Sequence, residues 1–185
     1  MNISMKQSIT KFGYLLLSAA LFSCGSPSNF ESNNASNYSF NLSGEVNNIG
    51  KERLINEESS PANMFSRIDS TQTFGYGVQI ILPDSLKESD LKVVVKGKFR
   101  QIEDAEHGSI AICLLTNKDS TALWSEVPAN KFVKQLNTWT AFKDSIFISR
   151  AQNKFNTKSL SVFSFKNRGK GFIDVDDLNV ELIKQ

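Results

Sequence analysis

Few residues of this chain have the types and spacing that chemistry needs, and the best of them are aromatic. Trp124, Tyr76, Phe74 and Trp139 are candidates for flat apolar platforms against which the face of a sugar ring could lie, with polar neighbours to bond its hydroxyls. Each could equally be core packing, the commoner fate of a single aromatic. Lys92, Lys96, Lys98 and Arg100 fall on one side of an alternating segment and could meet an acidic polysaccharide. A row of lysines on a solvent-facing or edge strand also serves to block edge-to-edge aggregation, and that reading is preferred. Catalysis has little support. The single histidine, His107, lies in the polar run Glu103-Asp104-Ala105-Glu106-His107-Gly108, a surface-turn composition with no recognisable nucleophile beside it. No Gly-Xaa-Ser-Xaa-Gly, phosphate-binding loop or dinucleotide fingerprint occurs. A small hydrolase would need two carboxylates converging in a cleft, which spacing alone does not supply.

Elements that could position such residues are bounded by composition. The 185 residues are 40% hydrophobic and 22% charged, enough for one domain with a full core. A formal net charge of +2 gives no strong field, so a dedicated nucleic-acid partner is not expected. Two cysteines cannot staple a disulfide framework, and one histidine leaves little for zinc.

Lys6 and Lys11 form a basic start, followed by the apolar run Phe12 to Phe22, then Ser23 and Cys24. That run is about half the ~20 residues a membrane-spanning helix needs, but it suits a secretory leader. Leu21-Phe22-Ser23-Cys24 resembles the lipobox of bacterial lipoproteins, which implies a leader over 1–23 and lipidation of Cys24 by palmitate-like acyl chains. Each buried methylene of such chains contributes about 0.8 kcal/mol, so several together anchor the protein to the membrane. Gly25 and Ser26 follow where an aspartate would retain the protein at the inner membrane. The resemblance therefore implies an outer-membrane envelope lipoprotein, in either leaflet. Residues 24–37, rich in Ser and Asn, read as a flexible tether.

The remainder, 38–185, reads as one all-β unit, an antiparallel β-sandwich. Leu91 to Arg100 alternates, with Leu91, Val93, Val95, Gly97 and Phe99 on one side and the basic residues on the other. Ile110 to Leu115 is apolar at every position, as expected of a central strand covered on both faces, and it holds Cys113 as a buried thiol. Further strands are expected over Tyr38 to Val46, Phe74 to Leu82, Thr138 to Ile148, Ser159 to Lys166 and Gly171 to Ile183, with a turn or two of helix over Pro128 to Leu136. The last strand breaks phase. Ile173 and Val175 share one parity and Leu178, Val180 and Leu182 the other, so a β-bulge is expected at Asp176-Asp177.

Four segments together resemble the jelly-roll fold of carbohydrate-binding modules and galactose-binding-like domains: Phe65–Asp69 leading into Phe74–Val78, Leu91–Arg100, Trp139–Ile148 with its leading tryptophan, and the closing Phe172-Ile-Asp-Val-Asp-Asp-Leu178. The resemblance implies a jelly roll and a buried Trp139 at the head of a core strand. It also implies a structural calcium where first and last strands meet, with Asp176 and Asp177 as ligands and Glu45 as the early-strand partner, since calcium takes six to eight oxygens. The alternative role for the two aspartates is to cap the free backbone groups of the bulge. No cofactor is certain. The expectation is a non-enzymatic, lipid-anchored envelope protein that binds a glycan or a partner protein, Trp124, Tyr76 and Phe74 being its ligand-binding candidates. A structural or accessory lipoprotein without a sugar ligand is the alternative.

Overall fold

The computed structural model describes residues 37–41, 48–49, 54–57, 60–69, 71–103, 108–167 and 169–185. Cys24, Glu45 and His107 lie outside the described residues, as do the leader and nearly all of the tether. Among the described residues eleven strands form two antiparallel sheets. They are β1 (Asn37–Asn41), β2 (Asn48–Ile49), β3 (Leu54–Glu57), β4 (Ser60–Ile68), β5 (Phe74–Ile81), β6 (Leu91–Ile102), β7 (Gly108–Thr116), β8 (Thr121–Pro128), β9 (Thr140–Ile148), β10 (Thr157–Lys166) and β11 (Phe172–Lys184). Sheet A runs β3-β4-β11-β6-β9, with β1 also on β11, and sheet B runs β2-β5-β10-β7-β8. From β4 onward the chain changes sheet at nearly every connection, which makes the molecule a jelly-roll sandwich.

Alternation explains the core. Leu91, Val93, Val95 and Phe99 of β6 and Leu178, Val180 and Leu182 of β11 meet Val78, Ile80, Ile110, Ile112, Leu114, Leu160 and Val162 of sheet B. Each such side chain contributes about 1.5–3 kcal/mol on burial. Pro128 to Leu136 yields only a 3-10 turn at Ala129–Lys131, because Ala129 is anchored in the core while the residues after it are largely exposed.

The bulge in β11 is present. Asp176 pairs with Lys98 and Asn179 with Lys96, so three steps along β11 match two along β6. Asp177 takes a left-handed φ of 51°, and the slip leaves Ile173 and Val175 facing the same core as Leu178, Val180 and Leu182. It also divides one edge of β11 between two partners, β4 along 173–175 and β1 along 179–183.

Strand β6 sits between β11 and β9, not at an edge. Its lysines therefore do not guard an edge, and of the two placements expected for that basic row only the solvent-facing one applies. They stand on the outward face of a central strand, where Lys98 pairs with Asp177 at 2.6 Å and Lys96 with Glu181 at 3.5 Å.

Candidate functional site

Sheet B is apolar on both sides, so one apolar face is left over after the core is filled. On its outward side Phe163 and Phe165 of β10 are flanked by small residues, Gly77 of β5 and Ala111 of β7 both lying opposite Phe163. The small neighbours leave room for larger rings to close in from the outer strands. Trp124 of β8, opposite Cys113, meets Phe165 edge-to-face at 5.1 Å and 79° and Phe163 at 5.9 Å and 68°. Phe74, opposite Phe165, meets the same two rings at 5.4 and 5.9 Å. Phe163 and Phe165 are buried beneath, whereas Trp124 and Phe74 are half-buried. Edge-to-face contacts of this kind are worth about 0.5–1.5 kcal/mol each beyond area burial.

The indole is fixed in orientation as well as position. Trp124 Nε1 donates to Glu126 Oε1 at 2.8 Å, and Ser109 Oγ donates to Glu126 Oε2 at 2.9 Å. A polar strip lies alongside, where Gln79 Nε2 donates to Ser159 Oγ at 3.2 Å. Cys113 is buried within the belt, its thiol 3.8 Å from Thr121 Oγ1, and burial pushes its pKa up. It packs on the outward side of β7 as a buried thiol.

Two of the three expected platform residues, Trp124 and Phe74, are thus brought together through shared partners. Tyr76 does not join them. It is 5% exposed, its backbone N–H donates to Ser66 Oγ of the other sheet at 2.8 Å, and burial raises its phenol pKa. The β5–β10 register is irregular between Phe163 and Phe165, beside Tyr76.

Sheet A carries a second constellation on its outward face. Arg67 of β4 and Arg100 of β6 lie opposite Asp174 of β11 from either side. Arg67 donates Nε to Oδ1 at 2.7 Å and Nη2 to Oδ2 at 2.9 Å, while Arg100 donates Nε to Oδ2 at 3.0 Å, with its Nη2 2.9 Å from the same oxygen. Asp174 is fully buried, and its hydrogen bond is the main cause that holds the Arg67 pKa above its ordinary value. Rings interleave with the guanidiniums. Arg100 lies 4.4 Å from the Trp139 ring centre and 5.0 Å from Phe65, and Arg67 lies 5.3 Å from both Phe65 and Phe172. Trp139 is half-buried in this stack and meets Phe65 edge-on at 5.8 Å, which corrects its expected place in the core.

The sequence alone does not reveal this group. Alternation puts Phe65 and Arg67 on one parity and Phe172 and Asp174 on another strand's outward parity, but only the register brings them level. Of the expected metal ligands, Asp176 accepts from the Asp177 backbone N–H at 2.8 Å, and Asp177 is paired with Lys98. Both carboxylates thus have partners at the bulge. Among the described residues no group of three or more His, Cys, Asp or Glu side chains is disposed to hold a metal ion. Among them, too, no helix is long and apolar enough to cross a membrane.

No family model and no curated protein matches the chain. Solved structures do resemble it. The CBM22-1 xylan-binding domain of Paenibacillus barcinonensis Xyn10C gives a TM-score of 0.46 at 11% identity, covering 80% of this chain and 94% of that one. The VP2 subviral particle of infectious bursal disease virus gives 0.44 at 11% identity, covering 87% of this chain. The CBM22-1–GH10 modules of Clostridium thermocellum xylanase 10B give 0.40 at 11% identity, covering 78% of this chain and 27% of that one. This chain spans only 38% of the capsid protein's length. All are distant likenesses of one β-sandwich to another, so what this protein binds has to be argued from its own two faces.

Proposed function

We propose that the protein is a lipid-anchored envelope module that binds a glycan, without catalysing a reaction, through the outward face of sheet B. The observation that carries this reading is the pre-set indole of Trp124. Two buried phenylalanines meet the indole at steep angles and a carboxylate holds its N–H, so little rotamer freedom is left to lose when a sugar ring lands on it. Phe74 supplies a second half-exposed ring across the same belt, and Gln79 supplies amide groups for hydroxyls at its margin. Cys24 is the proposed acyl attachment, on the strength of the leader pattern before it.

Intrinsic fluorescence titrated against a panel of neutral oligosaccharides tests the binding face. A blue shift with at least one sugar, lost on Trp124→Ala and weakened about tenfold on Phe74→Ala, is expected. Absence of a shift with every sugar would leave the accessory-lipoprotein reading. Metabolic labelling with palmitate tests the anchor, and Cys24→Ser is expected to abolish both label and membrane association.

A further inference from the structure

We infer that the end of the sandwich at which the chain enters β1 rests on the bilayer, with Phe155 as the side chain that reaches into it. The inference rests on the acyl attachment proposed at Cys24, and concerns which part of the folded body that attachment brings to the membrane. Asn37 opens β1 opposite Ile183 of β11. The next residue, Lys184, lies opposite Leu91 of β6, and Leu91 lies opposite Ile148 of β9. The chain therefore joins the sandwich where β11 and β9 end and β6 begins. From Cys24 to Asn37 it spans at most about 45 Å, even fully extended. Strand β11 alone runs about 40 Å. The opposite end could meet the lipid only with that stretch drawn almost straight along the whole sandwich, whereas the entry end meets it at any extension.

The connections 82–90, 117–120 and 149–156 close the entry end. Phe155 stands in the last of them, 69% exposed, the most exposed large hydrophobic side chain among the described residues. Phe147, 59% exposed, stands on β9 next to Ile148, near the same end. A single exposed ring is ordinary on a protein surface. Two of them at the end that acyl chains hold against a bilayer have an apolar phase within reach.

The segment carrying Phe155 is also braced. Asn153 is fully buried, and its Nδ2 donates to the carbonyl oxygens of Leu86 and Ser89. The Asn153 carbonyl accepts from the Glu88 N–H at 2.8 Å, and the Thr157 N–H closes a turn on the Lys154 carbonyl at 2.9 Å. A ring presented by a fixed turn loses little freedom on entering the interface. Charge does not drive the contact, because Lys87 pairs with Asp84 and Lys158 with Asp119. The Lys87 ammonium, 5.9 Å from the Phe155 ring centre, stays with the headgroups while the ring goes below them. Contact through this end leaves the outward faces of both sheets, and the Trp124 belt with them, clear of the lipid.

The acylated chain, extracted from membranes and reconstituted into phosphatidylethanolamine–phosphatidylglycerol vesicles containing brominated lipid, tests the inference. Phe155→Trp is expected to add tryptophan emission that the bromines quench at least about twofold, in low and high salt alike. Leu136→Trp lies at the opposite end, beside Asn137 whose N–H donates to Gln101 near the close of β6, and should add emission that the bromines leave unchanged. Both exposed positions should keep the wild-type melting temperature. Palmitate labelling of the same sample reads the anchor separately. Label without quenching at position 155, equal quenching at both positions, or quenching that high salt abolishes would overturn this inference alone. Absence of label would overturn the anchor and this inference with it.

Discussion

Phe163 lies so close to Gly77 across the β5–β10 pair that a Cβ on the glycine would stand 2.3 Å from the phenylalanine Cβ. The same atom would be 2.3 Å from the Val162 carbonyl oxygen, so backbone as well as side chain blocks it. No rotamer change relieves such a clash. Gly77→Ala is expected to destabilise the fold by roughly 3 kcal/mol, the upper part of the usual overpacking range, and to loosen the Trp124 belt. Thermal melting together with the tryptophan emission maximum checks both effects.

The two arginines on Asp174 are not equivalent to two independent salt bridges. Removing the carboxylate takes from both guanidiniums the anion they share, whereas removing one arginine leaves the carboxylate neutralised by the other. Asp174→Ala should therefore cost about 3 kcal/mol, and Arg67→Met or Arg100→Met about half of that. The double arginine variant should cost more than the sum of the single ones, because only then is a buried carboxylate left alone. Urea unfolding of the four variants measures this non-additivity, and simple additivity would refute the shared-carboxylate account.

Much of this architecture is legible in the amino-acid order, and the reasons differ by element. Leu91 to Arg100 alternates cleanly, so β6 and its inward set could be read directly. The phase break between Val175 and Leu178 locates the bulge because the core tolerates no slip of one residue. Register across strands is another matter. Arg67, Arg100 and Asp174 are 33 and 74 residues apart along the chain in succession, and nothing local says that they come level. Whether β6 is an edge or a centre is equally a property of topology, which its own alternation does not carry. Tyr76 and Trp139 exchanged expected places for a related reason. Burial of an aromatic at a strand end or irregularity depends on the neighbouring strand and not on its own parity.

Asp177 is the extra residue of the β11 bulge, held at a left-handed φ that glycine adopts without strain. Asp177→Gly should be neutral or stabilising by up to about 1 kcal/mol, the lost Lys98 pair being exposed and weak. Deleting Asp177 should still allow folding, since it places Ile173, Val175, Leu178, Val180 and Leu182 at every second position of a regular strand matched to β6. Chelation with EDTA should leave the melting temperature unchanged, because the carboxylates here already bond the bulge backbone and a lysine ammonium. A calcium-dependent rise in melting temperature would return the two aspartates to the ligand role.

Acid should find a local weak point at the turn between β4 and β5. Asp69 Oδ1 accepts from the Thr71 hydroxyl at 2.7 Å and from the backbone N–H groups of Thr71 and Gln72 at 2.7 and 2.8 Å. The Thr71 hydrogen bond is the largest influence holding its pKa below the ordinary 3.8, with the backbone bonds and the Lys166 charge adding to it against a burial penalty. A carboxyl with a lowered folded pKa contributes stability that is fully present above 3.8 and is lost as pH falls through the folded value. Asp69→Asn keeps an acceptor oxygen but not the charge, so it should cost less than about 1 kcal/mol at neutral pH, screening at this mostly exposed site limiting the effect. The gap between wild type and variant should close as the pH is lowered from 5 to about 2, because protonation makes the two side chains alike. Denaturant titrations at both ends of that window measure the gap, and one that stays constant would show that the charge on Asp69 contributes nothing to the turn.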